Sequence, residues 1–166
     1  MKVYLSDYQN EWPELFEDEK SVLLEKLRPW LKGSIEHVGS TAVPGLKAKP
    51  IIDIMVGVKD LENAEGAIDI LQNSGYCYYP YKADVMHWFC KPTPHYRTHH
   101  LHLVPYDSSL WRERIKFRDI LRIHGEVASE YEALKISLAN ELSDDRESYT
   151  EQKWPFIERA LREFGC

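Results

Sequence analysis

The stretch Ile35-Glu36-His37-Val38-Gly39-Ser40-Thr41-Ala42-Val43-Pro44-Gly45-Leu46-Lys47-Ala48-Lys49-Pro50-Ile51-Ile52-Asp53-Ile54 decides how this chain is read. A short strand over 34–38 runs into a loop over 39–50 rich in Gly, Ser and Pro. The following run, Ile51-Ile52-Asp53-Ile54-Met55-Val56-Gly57-Val58, is apolar on both faces and predicts a buried central strand. Asp53 is its one polar residue. A carboxylate there needs a cation, a metal or a hydrogen-bond network, because burying it unpaired is costly. The Gly39-Ser40 turn offers a second feature. Glycine lets the backbone approach a phosphate closely, and the serine hydroxyl and exposed N–H groups can donate to its oxygens. The bland readings of the same residues are an ordinary tight turn and an aspartate satisfied by backbone donors.

Outward from this stretch, Trp12, Leu15, Phe16, Val22, Leu23 and Leu27 recur at helical spacing and predict a helix over 12–31, capped by Asp7 or Asn10 and closed at Lys32-Gly33. A helix over 61–73 follows the central strand. Three further strands are expected at 76–79, 85–90 and 99–104, punctuated by prolines. After Pro105 the pattern turns helical, with helices over 110–124, 126–142 and 147–164. Strands bracketed by helices, with a helical last third, suggest an α+β or α/β core with a packed helical extension. The 166 residues fit one domain, 1–166, divided into a sheet core over 1–106 and an extension over 107–166.

Hydrophobic residues make up 43% and charged residues 29%, ordinary globular proportions. The net charge of -6 argues against general binding of duplex nucleic acid, whose affinity comes from Lys and Arg neutralising phosphates. A local basic pocket for a small anion remains open. No apolar run is long enough to span a membrane, and the N-terminus lacks the apolar stretch of a signal peptide. The expectation is a soluble cytoplasmic protein. Cys77, Cys90 and Cys166 form no C-x-x-C pair, so reduced thiols fit better than a disulfide or thiolate zinc framework.

Two more groupings carry chemistry. On a strand, His100 and His102 face the same side, an arrangement suited to a metal or a phosphate, while His99 points the other way. The bland alternative is two imidazoles hydrogen-bonded on a sheet face. Arg114, Arg118 and Arg122 recur every four residues and form one stripe on a helix. Arginine matches phosphate oxygens in a fork, whereas the bland alternative is a solvated stripe paired with acids. Tyr149 and Lys153 share a helix face. Trp12, Trp30, Trp88, Trp111 and Trp154 sit in apolar patterns and read as packing residues, and Cys77 and Cys90 read as small buried hydrophobes.

Glu36-His37-Val38-Gly39-Ser40-Thr41-Ala42-Val43-Pro44-Gly45-Leu46 and Lys49-Pro50-Ile51-Ile52-Asp53-Ile54 closely resemble the GrpB family, within the nucleotidyltransferase superfamily. Further matches are His100-Leu101-His102-Leu103-Val104, Phe117-Arg118-Asp119-Ile120-Leu121-Arg122, Tyr131-Glu132-Ala133-Leu134-Lys135, Asp145-Arg146-Glu147-Ser148-Tyr149 and Lys153. The resemblance implies an α+β fold: a nucleotidyltransferase-like mixed β-sheet flanked by helices, with a helical C-terminal segment. It implies a nucleoside triphosphate, or another phosphate-bearing small molecule, as ligand. Gly39, Ser40, Thr41, Lys49, Arg118, Arg122, Arg146 and Lys153 would bind phosphate. Asp53, His100 and His102 would be catalytic and would hold Mg²⁺ or another divalent metal.

The chain departs from the superfamily in one respect. The paired carboxylates of that superfamily lie two apart on one strand, and here the flanking positions are Ile51 and Met55. A thioether is a poor ligand for a hard cation. The expected function is transfer of a nucleotidyl or phosphoryl group to an acceptor. The alternatives are a nucleotide-binding or phosphate-binding module without catalysis, and a histidine-based metal-binding protein.

Overall fold

The computed structural model describes residues 4–80, 82–142 and 145–165. The elements in chain order are α1 (Trp12–Lys26), β1 (Leu31–Val38), β2 (Ile52–Val58), α2 (Glu65–Gln72), β3 (Cys77–Tyr79), β4 (His87–Pro92), β5 (Arg97–Pro105), α3 (Ser109–Ile123), α4 (Gly125–Glu141) and α5 (Arg146–Phe164). The strands form one open mixed sheet in the order β1-β2-β5-β4-β3. β2 and β5 pair in parallel, and every other neighbouring pair is antiparallel. A parallel pair needs a crossover, which α2, β3 and β4 supply. The α+β fold and helical C-terminal segment expected from the sequence are both present.

The period-2 alternation of β2 sorts its side chains onto two cores. Ile52, Ile54, Val56 and Val58 face one side and pack with Trp12, Phe16 and Leu23 of α1, Leu27 just after it, and Ala67 and Leu71 of α2. Asp53 and Met55 belong to the other side. There Val38, Met55, Trp88, Cys90 and Val104 meet Trp111 of α3. A third apolar cluster joins Val43 and Leu46 of the loop after β1 to α3, α4 and α5. The helical extension is thereby packed against the loop that carries Gly39 and Ser40.

Several boundaries differ from the sequence reading. The first helix ends at Lys26, followed by a 3-10 turn over Arg28–Trp30, and β1 begins at Leu31. Gly33 is not a helix stop. Its φ of +76° lies inside β1 where the register with β2 shifts, and the Tyr106 ring occupies the space a side chain would need. Neither Asp7 nor Asn10 caps α1; its N-cap is Glu11, without a side-chain hydrogen bond. Pro13 makes a free backbone donor unnecessary in that first turn. Trp154 is 45% exposed, so it is no packing residue, whereas Trp12, Trp88 and Trp111 are buried. Cys90 is buried as expected, and Cys77 opposite it is half-buried.

Candidate phosphate-binding site

Three strands bring the site together at one end of the sheet. Asp53 on β2 stands directly opposite His100 on β5 and opposite Val38 on β1. His102 lies two residues along β5 on the same face, as its spacing from His100 required. Asp53 Oδ1 is 3.2 Å from His100 Nδ1 and 3.7 Å from His102 Nε2. A carboxylate can only accept, so His100 carries its proton on Nδ1 and presents a lone pair at Nε2. That Nε2 is buried and has no hydrogen-bond partner among the described residues. Arg114 donates to His102 Nδ1 at 3.0 Å, which places the His102 proton on Nε2, facing Asp53. Burial pushes Asp53 up, but the hydrogen bonds and charges of the two histidines outweigh it and hold the carboxyl well below its usual range. Burial lowers both imidazoles, His102 to about 4, so near neutral pH an ionised aspartate sits beside two neutral histidines.

Gly39 completes this corner. Its φ of +75° with ψ of -173° is a conformation reserved almost entirely for glycine. A methyl group on its Cα would lie 2.4 Å from Asp53 Oδ2. The turn and the carboxylate therefore touch, and Asp53 keeps 29% of its side chain exposed beside it. The bland reading of Asp53, an acid satisfied by backbone donors, does not apply: its partners are imidazoles. The bend continues as a 3-10 turn over Ser40–Ala42. Burial pushes the Tyr131 phenol of α4 up, and the nearby Ser40 hydroxyl pulls it down. Thr41 is committed inside the turn, donating to the Ile51 carbonyl at 3.1 Å and accepting from His37 Nε2 at 2.9 Å.

The opposite wall is basic and comes from the helical extension and the loop before β2. Lys153 of α5 places its ammonium 4.7 Å from the centre of the Tyr149 ring, and Lys49 places its own 5.1 Å away. Burial lowers the Lys153 ammonium, while Tyr149 and the negative charge of Asp53 pull the other way. Lys135 of α4 is buried, donates to the Lys47 carbonyl and is lowered to about 7 by burial and by Lys153. Lys49 and Arg97 are the cations whose charges bear on His100. Tyr149 itself is 0% exposed, its hydroxyl has no partner among the described residues, and burial pushes it up to about 12, so it stays a neutral donor. Within an acidic chain, this corner gathers lysines around one carboxylate.

The structure does not bring every expected residue here. Arg118 ties α3 to β1: it pairs with Glu36 at 2.7 Å and Asp119 at 3.0 Å and donates to the His37 carbonyl. Arg122 donates to the Ala42 carbonyl at 2.9 Å and holds the turn from behind. The arginine stripe is thus neither solvated nor gathered at Asp53; its three members anchor α3 to His102, β1 and the turn. Arg118, Arg122, Glu36 and His37 line a separate cleft of about 250 Å³ with Phe16 and Lys20. His37 stacks on Phe16 at 4.8 Å, on the face of the sheet opposite His100. Arg146 begins α5, and its side chain lies outside the described residues. Tyr131 and Lys135 are residues that site reasoning from sequence left out, and Tyr149 was placed on one helix face with Lys153 but given no role. Their signal was present, since Tyr131 and Lys135, like Tyr149 and Lys153, are spaced one turn apart.

A resident Mg²⁺ is a poor match to these donors. Mg²⁺ prefers oxygen ligands in an octahedron, and this corner offers one carboxylate and two imidazoles. Met55, at the position of a second acid, is 0% exposed in the core, and Glu36 is taken by Arg118. Among the described residues no group of three or more His, Cys, Asp or Glu is arranged as a metal site.

The GrpB protein family model matches residues 2–163, nearly the whole chain. This chain belongs to the GrpB family. Glutamate-rich protein GrpB of Alkalihalophilus pseudofirmus is 38% identical over 167 residues, covering 98% of this chain and 95% of that protein. UPF0157 protein YqkA of Bacillus subtilis is 31% identical and covers 96% of this chain, which spans only 46% of YqkA. The crystal structure of conserved protein GrpB from Enterococcus faecalis aligns with a TM-score of 0.85 and 32% identity over 98% of this chain and 100% of that one. The GLD-2/RNP-8 complex aligns more distantly, with a TM-score of 0.50 and 14% identity, over 91% of this chain and 58% of that one; it shares the fold alone. No helix among the described residues of this GrpB protein is long and apolar enough to cross a membrane.

Proposed function

We propose that this GrpB protein binds a phosphate-bearing small molecule, a nucleoside triphosphate in the first instance, in the corner between the Gly39-Ser40 turn and α5, and transfers a nucleotidyl or phosphoryl group to an acceptor. One observation carries the reading. The carboxylate of Asp53 touches Gly39 and lies beside His100 and His102, while Lys49 and Lys153 flank the Tyr149 ring, Lys153 near enough for the Asp53 charge to act on it. Gly39 and Ser40 would seat the phosphates, with Lys49 and Lys153 opposing their charge. In-line transfer asks for positioning and neutralisation of charge more than for covalent chemistry from the protein. His100, oriented by Asp53, presents a lone pair where an acceptor proton would be taken. His102, held by Arg114, positions Asp53 from behind.

The second reading, a binding module without turnover, is favoured by the burial of Met55 and by the pairing of Glu36, which leave one acid at the site. Titration of the purified protein with ATP, CTP, GTP and coenzyme A, followed by assay of pyrophosphate and nucleoside diphosphate, the leaving groups of nucleotidyl and phosphoryl transfer, separates the two. Saturable binding with release of either product, lost in Asp53→Asn, supports the enzyme. Binding without either product supports the module, and no binding of any of these compounds refutes both.

A further inference from the structure

Lys49 and Lys153 of the corner proposed above share one aromatic ring, that of Tyr149. This inference rests on the phosphate-binding reading above and adds what recognises the phosphate. The Tyr149 hydroxyl is wholly buried and has no hydrogen-bond partner among the described residues, a costly state for a native side chain. It remains protonated at all physiological pH values, and a protonated phenol beside two ammonium groups is matched by an anionic oxygen acceptor. Lys49 and Lys153 flank its ring from different parts of the chain, one from the loop before β2 and one from α5. The same corner lacks the oxygen ligands that a resident Mg²⁺ requires. We infer that Lys49, Tyr149 and Lys153 form a phosphate subsite that holds a polyphosphate chain without a bridging divalent cation.

The probe is inorganic tripolyphosphate, compared with ATP, by calorimetric titration in excess EDTA and again with Mg²⁺. The expected result is binding of both in EDTA. Tyr149→Phe should weaken it about tenfold or more, the loss of one hydrogen bond to a charged group. Lys153→Met should weaken it further and reduce its salt dependence, and Lys153→Arg should restore part of it. Folding does not confound the tyrosine variant. Removing an unpaired buried hydroxyl should leave the melting temperature of the free protein equal to or above that of the wild type. Binding that appears only with Mg²⁺ would overturn the subsite while leaving the nucleotide reading intact. So would binding in EDTA that Tyr149→Phe and Lys153→Met leave unchanged. Failure of the wild type to bind either compound under both conditions would remove the phosphate-binding reading itself.

Discussion

Replacing Gly39 with alanine stresses the backbone and the site at once. The conformation at this position, φ +75° and ψ -173°, costs a residue with a side chain about 1–3 kcal/mol. The added Cβ would also lie 2.4 Å from Asp53 Oδ2 and 3.1 Å from its Cβ and Cγ. Relieving that overlap means displacing Asp53 or the turn, at a further cost of about 1–3 kcal/mol. The combined loss of about 2–6 kcal/mol is a large share of the stability of an ordinary domain, about 5–15 kcal/mol. Urea denaturation measures it. Displacement of Asp53 also breaks its 3.2 Å contact with His100, so ligand binding should fall with stability. A double-mutant cycle divides the two costs. Asp53→Ala removes the Oδ2 and Cγ atoms that the new methyl meets and keeps only the Cβ at 3.1 Å, so Gly39→Ala should cost about 1–3 kcal/mol less in the Asp53→Ala background, leaving mainly the backbone strain. If Gly39→Ala shifts stability by less than about 0.5 kcal/mol and binding is unchanged, the close approach of turn and carboxylate is wrong.

Three further outcomes follow from the same geometry. His37 and His102 are lowered to about 4 from 6.5, so between those values the folded protein binds fewer protons than the unfolded chain. Their contribution is fully present above about pH 6.5 and is lost as pH falls toward 4, by up to about 3 kcal/mol per histidine; equal urea midpoints at pH 7 and pH 4.5 would contradict this. Arg118→Ala leaves the carboxylate of Glu36 half-buried without its partner and should cost about 2–3 kcal/mol in chemical denaturation, most of it recovered by adding Glu36→Gln. Met55→Asp, the substitution that would restore a second strand carboxylate, should not create activity. It buries an unpaired acid at a 0% exposed position and should lower the melting temperature sharply; a stable variant with increased pyrophosphate release would refute the packing argument.

Some of the site was legible because strands alternate with period two. Asp53 inside an apolar run, and His100 with His102, were bound to share faces once the runs were read as strands. That Asp53 and His100 face each other depends on the parallel pairing of β2 with β5, which no local pattern encodes. The arginine stripe was visible as a stripe, yet its partners were not. Glu36 and the Ala42 carbonyl lie about eighty residues away in the chain, so a helical period says only that the arginines share a side. Gly33 misled for a local reason: a glycine after an amphipathic run marks a helix end in most contexts, and here the tertiary need was a left-handed residue under the Tyr106 ring.

What the sequence by itself determined is the division into apolar strands, amphipathic helices and the glycine turn, because those follow from periodicity and backbone sterics within a few residues. Tertiary structure alone decided that the third cluster would fold α4 and α5 back over the turn, bringing Lys49, Tyr149 and Lys153 to one corner with Asp53. The physical reason is range. Hydrophobic burial is non-directional, so which apolar face meets which is settled only when the whole chain packs, and the charges and orphaned hydroxyl carried on those faces take their neighbours from that packing.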